Sequence, residues 1–175
     1  MGDGNLSNPN GRAIRLRITC DKKYKNIIRN IRASIQRLLP KNKVSIVNRK
    51  ENCIDISCYS NKWKIFLDWK VGCGSKHEQK ICVSTWIKAN KAYSKACLKG
   101  LFETDGSIYL DRGYKMASFV TTIPTLANDV MKMISDLGFK PNMQIFVSKN
   151  GKIKHTIRIS KNAEKFIQLL KINKS

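Results

Sequence analysis

Two carboxylates, Glu103 and Asp105, stand two residues apart at the end of a segment with helical periodicity. Tyr93, Cys97, Leu98, Leu101 and Phe102 recur at helical spacing, which predicts one buried flank. Ala96 and Gly100 lie four apart on another flank, where their lack of bulk would let a second helix come backbone-close. A helix C-terminus disfavours negative charge by roughly 0.3–1 kcal/mol. An acid kept there against that cost is a candidate metal ligand.

The run from Leu98 to Gly106 resembles the signature of the LAGLIDADG homing endonucleases. Leu98, Gly100, Leu101, Asp105 and Gly106 match it position by position, and Lys99, Phe102, Glu103 and Thr104 depart from it. The resemblance implies that Asp105, at the eighth position, is the metal-binding catalytic acid. The chain opens Met1-Gly2-Asp3-Gly4, which reads as the tail of another copy of the motif and makes Asp3 the counterpart of Asp105. A plain Gly-Asp-Gly turn is the other reading of that opening.

What the resemblance implies is hydrolysis of double-stranded DNA at specific sites. Such chemistry needs an activated water and charge stabilisation at the phosphate, which divalent ions supply. Mg2+ suits a site of one or two carboxylates completed by substrate phosphates and water. Asp3 and Asp105 would each serve one strand. Lys80 best matches the family's basic residue before the second motif, with Lys76 an alternative and Lys171 or Lys174 the counterparts in the second half. Arg15, Arg17, Tyr59, Lys115, Gln144, Lys154, Thr156 and Arg158, together with Ser57, are polar strand positions expected to face DNA. Two rival classes use the same fold: an intron RNA maturase, and a DNA-binding regulator that has no catalysis.

Composition points to the same kind of partner. The net charge is +22, with 34 basic and 12 acidic residues. Both parts of the chain are basic, which argues against a basic tail and for a partner with a dense negative backbone. No apolar run reaches the ~18 residues needed to span a membrane. The six cysteines lack paired Cys-x-x-Cys spacing and read as buried small hydrophobes in a reducing compartment, cytoplasm or organelle matrix. Cys73, His77 and Cys82 are a weak zinc candidate. A monomer is expected.

The elements that must position these residues follow from patterning. Residues 12–19 alternate, with Ile14, Leu16 and Ile18 against Arg15, Arg17 and Thr19. A helix capped by Asp21 carries Tyr24, Ile27, Ile28, Ile31, Ile35 and Leu38 on one stripe, with Lys25, Arg29, Arg32 and Arg37 largely off it. Strands over 43–48 and 53–59 and a short helix at Trp63 close this unit. Residues 71–90 read as connector, anchored by Trp86 and Ile87. After the motif helix come strands over 106–110 and 114–122, and a helix ending at Gly138. A strand marked by Met143, Ile145 and Val147, a turn at Asn150-Gly151 and a strand with Ile157 and Ile159 follow, before a last helix.

The reading is therefore α+β: two pseudo-symmetric αββαββα repeats, residues 1–89 and 90–175, forming a saddle on DNA. The first repeat lacks its opening helix. On this reading Ile14, Leu16 and Ile18 lack a cover, and either the reading frame starts upstream or the gene is a decayed fragment.

Overall fold

The computed structural model describes residues 4–148 and 151–173. The chain forms two compact units that divide between Gly74 and Ser75. Residues 75–89, expected to travel with the first repeat, therefore pack with the second unit.

In the first unit the elements are β1 (Gly4–Ser7), β2 (Arg15–Asp21), α1 (Lys25–Leu38), β3 (Val44–Asn48), β4 (Cys53–Tyr59) and α2 (Trp63–Phe66). The four strands make an antiparallel sheet in the order β1-β2-β4-β3. Its register places Leu16, Ile18 and Cys20 opposite Cys58, Ile56 and Ile54, so the apolar set of both central strands shares one face. That face meets Ile35 and Leu39 from α1 and its C-terminus, and Trp63 from α2.

Ile14 and Leu16 are covered after all: both are buried in this cluster, with Phe66, Leu67 and Val71 packed around it. The local aromatic and aliphatic residues after β4 supply the cover that the sequence pattern assigned to a further helix. Burying each such side chain is worth about 1.5–3 kcal/mol. Two other details differ. Asp21 does not cap α1; its carboxylate accepts the Lys23 N–H, 2.9 Å away, and its carbonyl accepts that of Tyr24, closing a turn before the helix. Leu38 is exposed, while Leu39, one residue past the helix, turns inward.

The second unit runs α3 (Thr85–Lys88), α4 (Lys91–Thr104), β5 (Gly106–Asp111), β6 (Tyr114–Thr121), α5 (Pro124–Asp136), β7 (Asn142–Val147), β8 (Ile153–Ile159) and α6 (Ala163–Leu170). Its sheet has the order β5-β6-β8-β7, so it repeats the first sheet strand for strand. Three rings tie the helices to the sheet: Phe102 of α4 lies 5.9 Å from Phe119 of β6 and 5.1 Å from Phe166 of α6.

The connector is anchored by Ile81 and Val83, not by Trp86, which is 55% exposed and packs edge-on against Tyr93. That contact also takes Tyr93 out of the buried flank of α4, where Ser94, Leu98, Leu101 and Phe102 form the inner face. The α5 helix staples the connector. The Thr125 hydroxyl donates to the Lys80 and Ile81 carbonyls at 3.0 and 2.7 Å, and Asp129 accepts the Val83 N–H and the Lys88 ammonium, both at 2.7 Å. At the far edge, Ile145 and Val147 of β7 share the helix-side face of the sheet but remain exposed, because the helices end short of that strand.

Candidate active site and nucleic-acid interface

The α4 helix starts where the Asn90 side chain accepts the N–H groups of Ala92 and Tyr93, a strong N-cap. It ends without a loop. Asp105 is the C-cap, with φ −102 and ψ −2, and its N–H donates to the Leu101 carbonyl at 2.9 Å. Thr104 turns its hydroxyl back onto the Gly100 and Leu101 carbonyls at 3.0 and 3.3 Å, using up part of the helix end. The next residue, Gly106, is already in β5. A Cβ on Gly106 would lie 2.6 Å from the Phe102 carbonyl oxygen and 2.7 Å from its Cα. Glycine is thus required for the strand to leave the helix at this corner, and the corner fixes where the half-buried Asp105 sits.

A direct consequence is that Gly106→Ala should lower stability by about 1–3 kcal/mol, since backbone cannot yield as a side chain can. That corresponds to roughly 2–4 °C per kcal/mol for a chain of this size, read by thermal melting. An unchanged melting temperature would mean that the corner is not as tight as described.

The neighbouring acid behaves differently. Glu103 is buried and its carboxylate lies 3.7 Å from the Lys99 ammonium one turn earlier. It belongs to the helix packing, and Asp105 is left as the acid of the corner. Gly100 meets nothing within 4 Å on the side where a Cβ would stand, so its lack of bulk is not used by the described residues. Cys97, on the same helix, has its thiol pushed up to about 11 by burial, with the Asp129 carboxylate adding to the shift. At pH 7 only about one such thiol in ten thousand is ionised. Alkylation at neutral pH followed by peptide mass spectrometry should label the exposed Cys73 and Cys82 and spare Cys97.

Asp3 lies outside the described residues, as does Lys174. Lys80 is exposed, with a left-handed backbone at φ 47 fixed by Thr125, and Lys171 caps α6 in the same conformation. Among the described residues there is no group of three or more His, Cys, Asp or Glu side chains arranged to hold a metal.

Both sheets leave one face away from their helices, and most of the strand residues expected to meet DNA are on it. In the first sheet, Arg15 pairs across to Tyr59 and Arg17 to Ser57. Arg15 donates from Nε to the Ser7 hydroxyl at 3.2 Å, and Tyr59 is 43% exposed. In the second, Gln144 pairs with Thr156, Lys154 with Phe146 and Arg158 with Ser118. Lys115 is a correction. It alternates with Ala117 and Phe119 on the helix side, and its ammonium lies 3.4 Å from Glu164 of α6. Its polarity suggested the open face; the register decides otherwise.

Two carboxylates on these faces were not singled out from the sequence. Asp55 is 8% exposed and accepts the Thr19 hydroxyl at 2.7 Å and Arg49 Nε at 2.8 Å, with Arg17 at 3.9 Å. Asp111 holds Arg158 at 3.1 Å, with the guanidinium 6.0 Å from the centre of the Tyr109 ring. The alternation that puts Asp55 beside Thr19 across the strands was the available signal. Arginines held this way present their remaining N–H groups in a fixed orientation.

Residues 92–171 match the model of the LAGLIDADG-like domain. This part of the chain is a LAGLIDADG-like domain. The LAGLIDADG fold extends over both units. Mesophilic variants of the homing endonuclease I-DmoI are similar with a TM-score of 0.68 and 20% identity, over 97% of this chain and 83% of that one. I-DmoI in complex with DNA and Mn gives 0.69 and 20%, over 97% and 89%. Full-length DUF199/WhiA from Thermatoga maritima gives 0.64 and 14%, over 98% of this chain and 52% of that one. No curated protein matches the chain in sequence.

Proposed function

We propose that the protein is a site-specific endonuclease that hydrolyses double-stranded DNA with a divalent metal ion, Mg2+ being the natural choice. The observation that carries this reading is Asp105, a half-buried carboxylate held at the negative end of the LAGLIDADG-like helix by a corner that only glycine allows. The solved I-DmoI complexes, which hold target DNA with Mg, Mn or Ca, support it.

The donor set suits a hard cation. A single described carboxylate is too little for zinc or for a calcium cage, but it is enough for an ion that keeps its waters and shares the substrate's phosphates. When bound, such an ion supplies Lewis-acid stabilisation of the phosphate and a more acidic water. Asp105 would hold it, with Asp3 as the counterpart for the other strand. Lys80 is the candidate for steadying charge near the metal. The open faces bind and orient the duplex: Arg15, held by Ser7, then Arg17, Arg49 and Arg158, braced by Asp55 and Asp111, together with Tyr59, Gln144, Lys154 and Thr156. Lys115 does not belong to this set.

A second reading, binding without cleavage, is favoured by the lack, among the described residues, of three or more His, Cys, Asp or Glu side chains grouped to hold a metal. The two separate in a cleavage-coupled selection from a random duplex library, run with Mg2+, with Mn2+ and with chelator. Metal-dependent recovery of one sequence supports the endonuclease. Enrichment by binding alone, with no cut in either metal, supports the regulator. Among the described residues no helix is long and apolar enough to cross a membrane.

A further inference from the structure

We propose that the outer face of α1 is a second nucleic-acid-binding surface, separate from the open sheet face of the same unit, which grips the phosphodiester backbone of a second nucleic-acid segment. Lys25, Arg29 and Arg32 stand at i, i+4 and i+7, one stripe along the helix, and Arg37 follows in its last turn. All four are exposed, and none is in an ion pair among the described residues. From Lys22 to Lys50 the chain has ten basic residues and no acidic one; the flanking Asp21 and Asp55 pair with Lys23 and Arg49, and neither is paired with a cation of the helix. The absence of compensation along a whole helix indicates that the compensating charge comes from a partner.

The open sheet face does not explain this charge. The α1 helix packs Ile35, with Ile28 and Ile31, against the apolar side of the sheet, and Arg15, Arg17 and Tyr59 are on the other side. A helix with its side chains is about 10–12 Å thick. A duplex lying on the open face would have to wrap around the sheet edge to reach the outer stripe. Duplex DNA is stiff over about 150 base pairs, so a short target does not do so.

The side chains between the cations name the partner class. Asn26, Asn30 and Ser34 are exposed and donate readily to phosphate oxygens, and the exposed Ala33 is small enough not to hold a backbone off. A helix that lies in a lipid surface needs large apolar side chains beside its cations, and α1 exposes one, Leu38, at its end. The inference does not depend on Asp105 or on cleavage.

The test uses the full chain saturated with an unlabelled 20-base-pair duplex at low salt. A labelled probe is then titrated in, in separate arms: a second duplex, a structured RNA hairpin, and phosphatidylserine vesicles. The expected result is a second binding event with the duplex or the RNA, and the arm that responds names the source. In R29E/R32E the second event should be lost or its salt slope should fall by about 1.8, from ~0.9 per phosphate contact. The first event should be unchanged. If the double reversal lowers the melting temperature, R29Q/R32Q gives the same readout without the added acids. A single binding event in the wild type, equal weakening of both events in a stably folded variant, or capture by vesicles alone would overturn the proposal.

Discussion

Asp105→Asn is expected to reduce cleavage by about three orders of magnitude or more while leaving DNA affinity within a few-fold of wild type. The substitution keeps size and hydrogen-bonding reach but removes the charge that holds the cation. Metal stabilisation of the phosphate is worth several kcal/mol, and each 1.36 kcal/mol is about a factor of ten in rate. Binding should survive because the residues on the open faces that grip the duplex are elsewhere in the fold. Folding should also survive, because Asp105 anchors the corner through its backbone N–H to Leu101, a contact asparagine keeps. Removing a carboxylate from a helix C-terminus is itself favourable by about 0.3–1 kcal/mol. A slight rise in melting temperature together with lost cleavage is therefore the signature of an acid retained for chemistry. Near wild-type cutting by the variant would remove Asp105 from the proposed site, and the endonuclease reading with it.

The corner that holds Asp105 was legible in the sequence because two local signals agree there. Leu98, Leu101 and Phe102 mark the inner face of a helix, and Gly106 marks where the chain must pass close to its own backbone. The sequence of elements repeated between the two units could also be read from its alternating and helical patterns, whereas the order of the strands across each sheet could not, since alternation sets a strand's face and not its neighbours. What could not be read depends on where neighbouring elements stop. Lys115 and Ile145 sit on the helix side of their sheet at the margin of the helices, where Lys115 stays exposed beside Glu164 of α6 and Ile145 stays uncovered, so polarity and burial part company at both. Trp86 was expected inside on hydrophobicity alone, but Ile81 and Val83 fill the space once Thr125 and Asp129 fix the connector to α5. Asp55 alternates with Ile54 and Ile56, which marks it only as a polar position of a strand. Its role as the acceptor for Thr19 and Arg49 exists only after β2, β4 and the turn before β4 come together.

Affinity for duplex DNA should fall steeply with salt. The 12 acidic residues can neutralise at most a like number of the 34 basic ones, which leaves +22 to attract a polyanion. The pairs seen in the structure show where the local compensation goes: Arg49 to Asp55, Arg158 to Asp111, Lys88 to Asp129 and Lys115 to Glu164. On the open faces Arg49 and Arg158 are oriented by carboxylates, so they should contribute more to sequence preference than to the electrostatic slope. Unpaired lysines such as Lys154 should supply the slope. A protein that neutralises roughly 6–10 phosphates loses ~10³–10⁵ in affinity between about 50 and 200 mM salt. Fluorescence anisotropy on a duplex across that range measures it directly. Lys154→Ala should flatten log affinity against log salt by about 0.9, the value of one phosphate contact, whereas Asp111→Asn should leave the slope and alter the preferred sequence. Affinity that is level across the range would mean that the open faces do not meet a duplex, whatever the fold they share with I-DmoI.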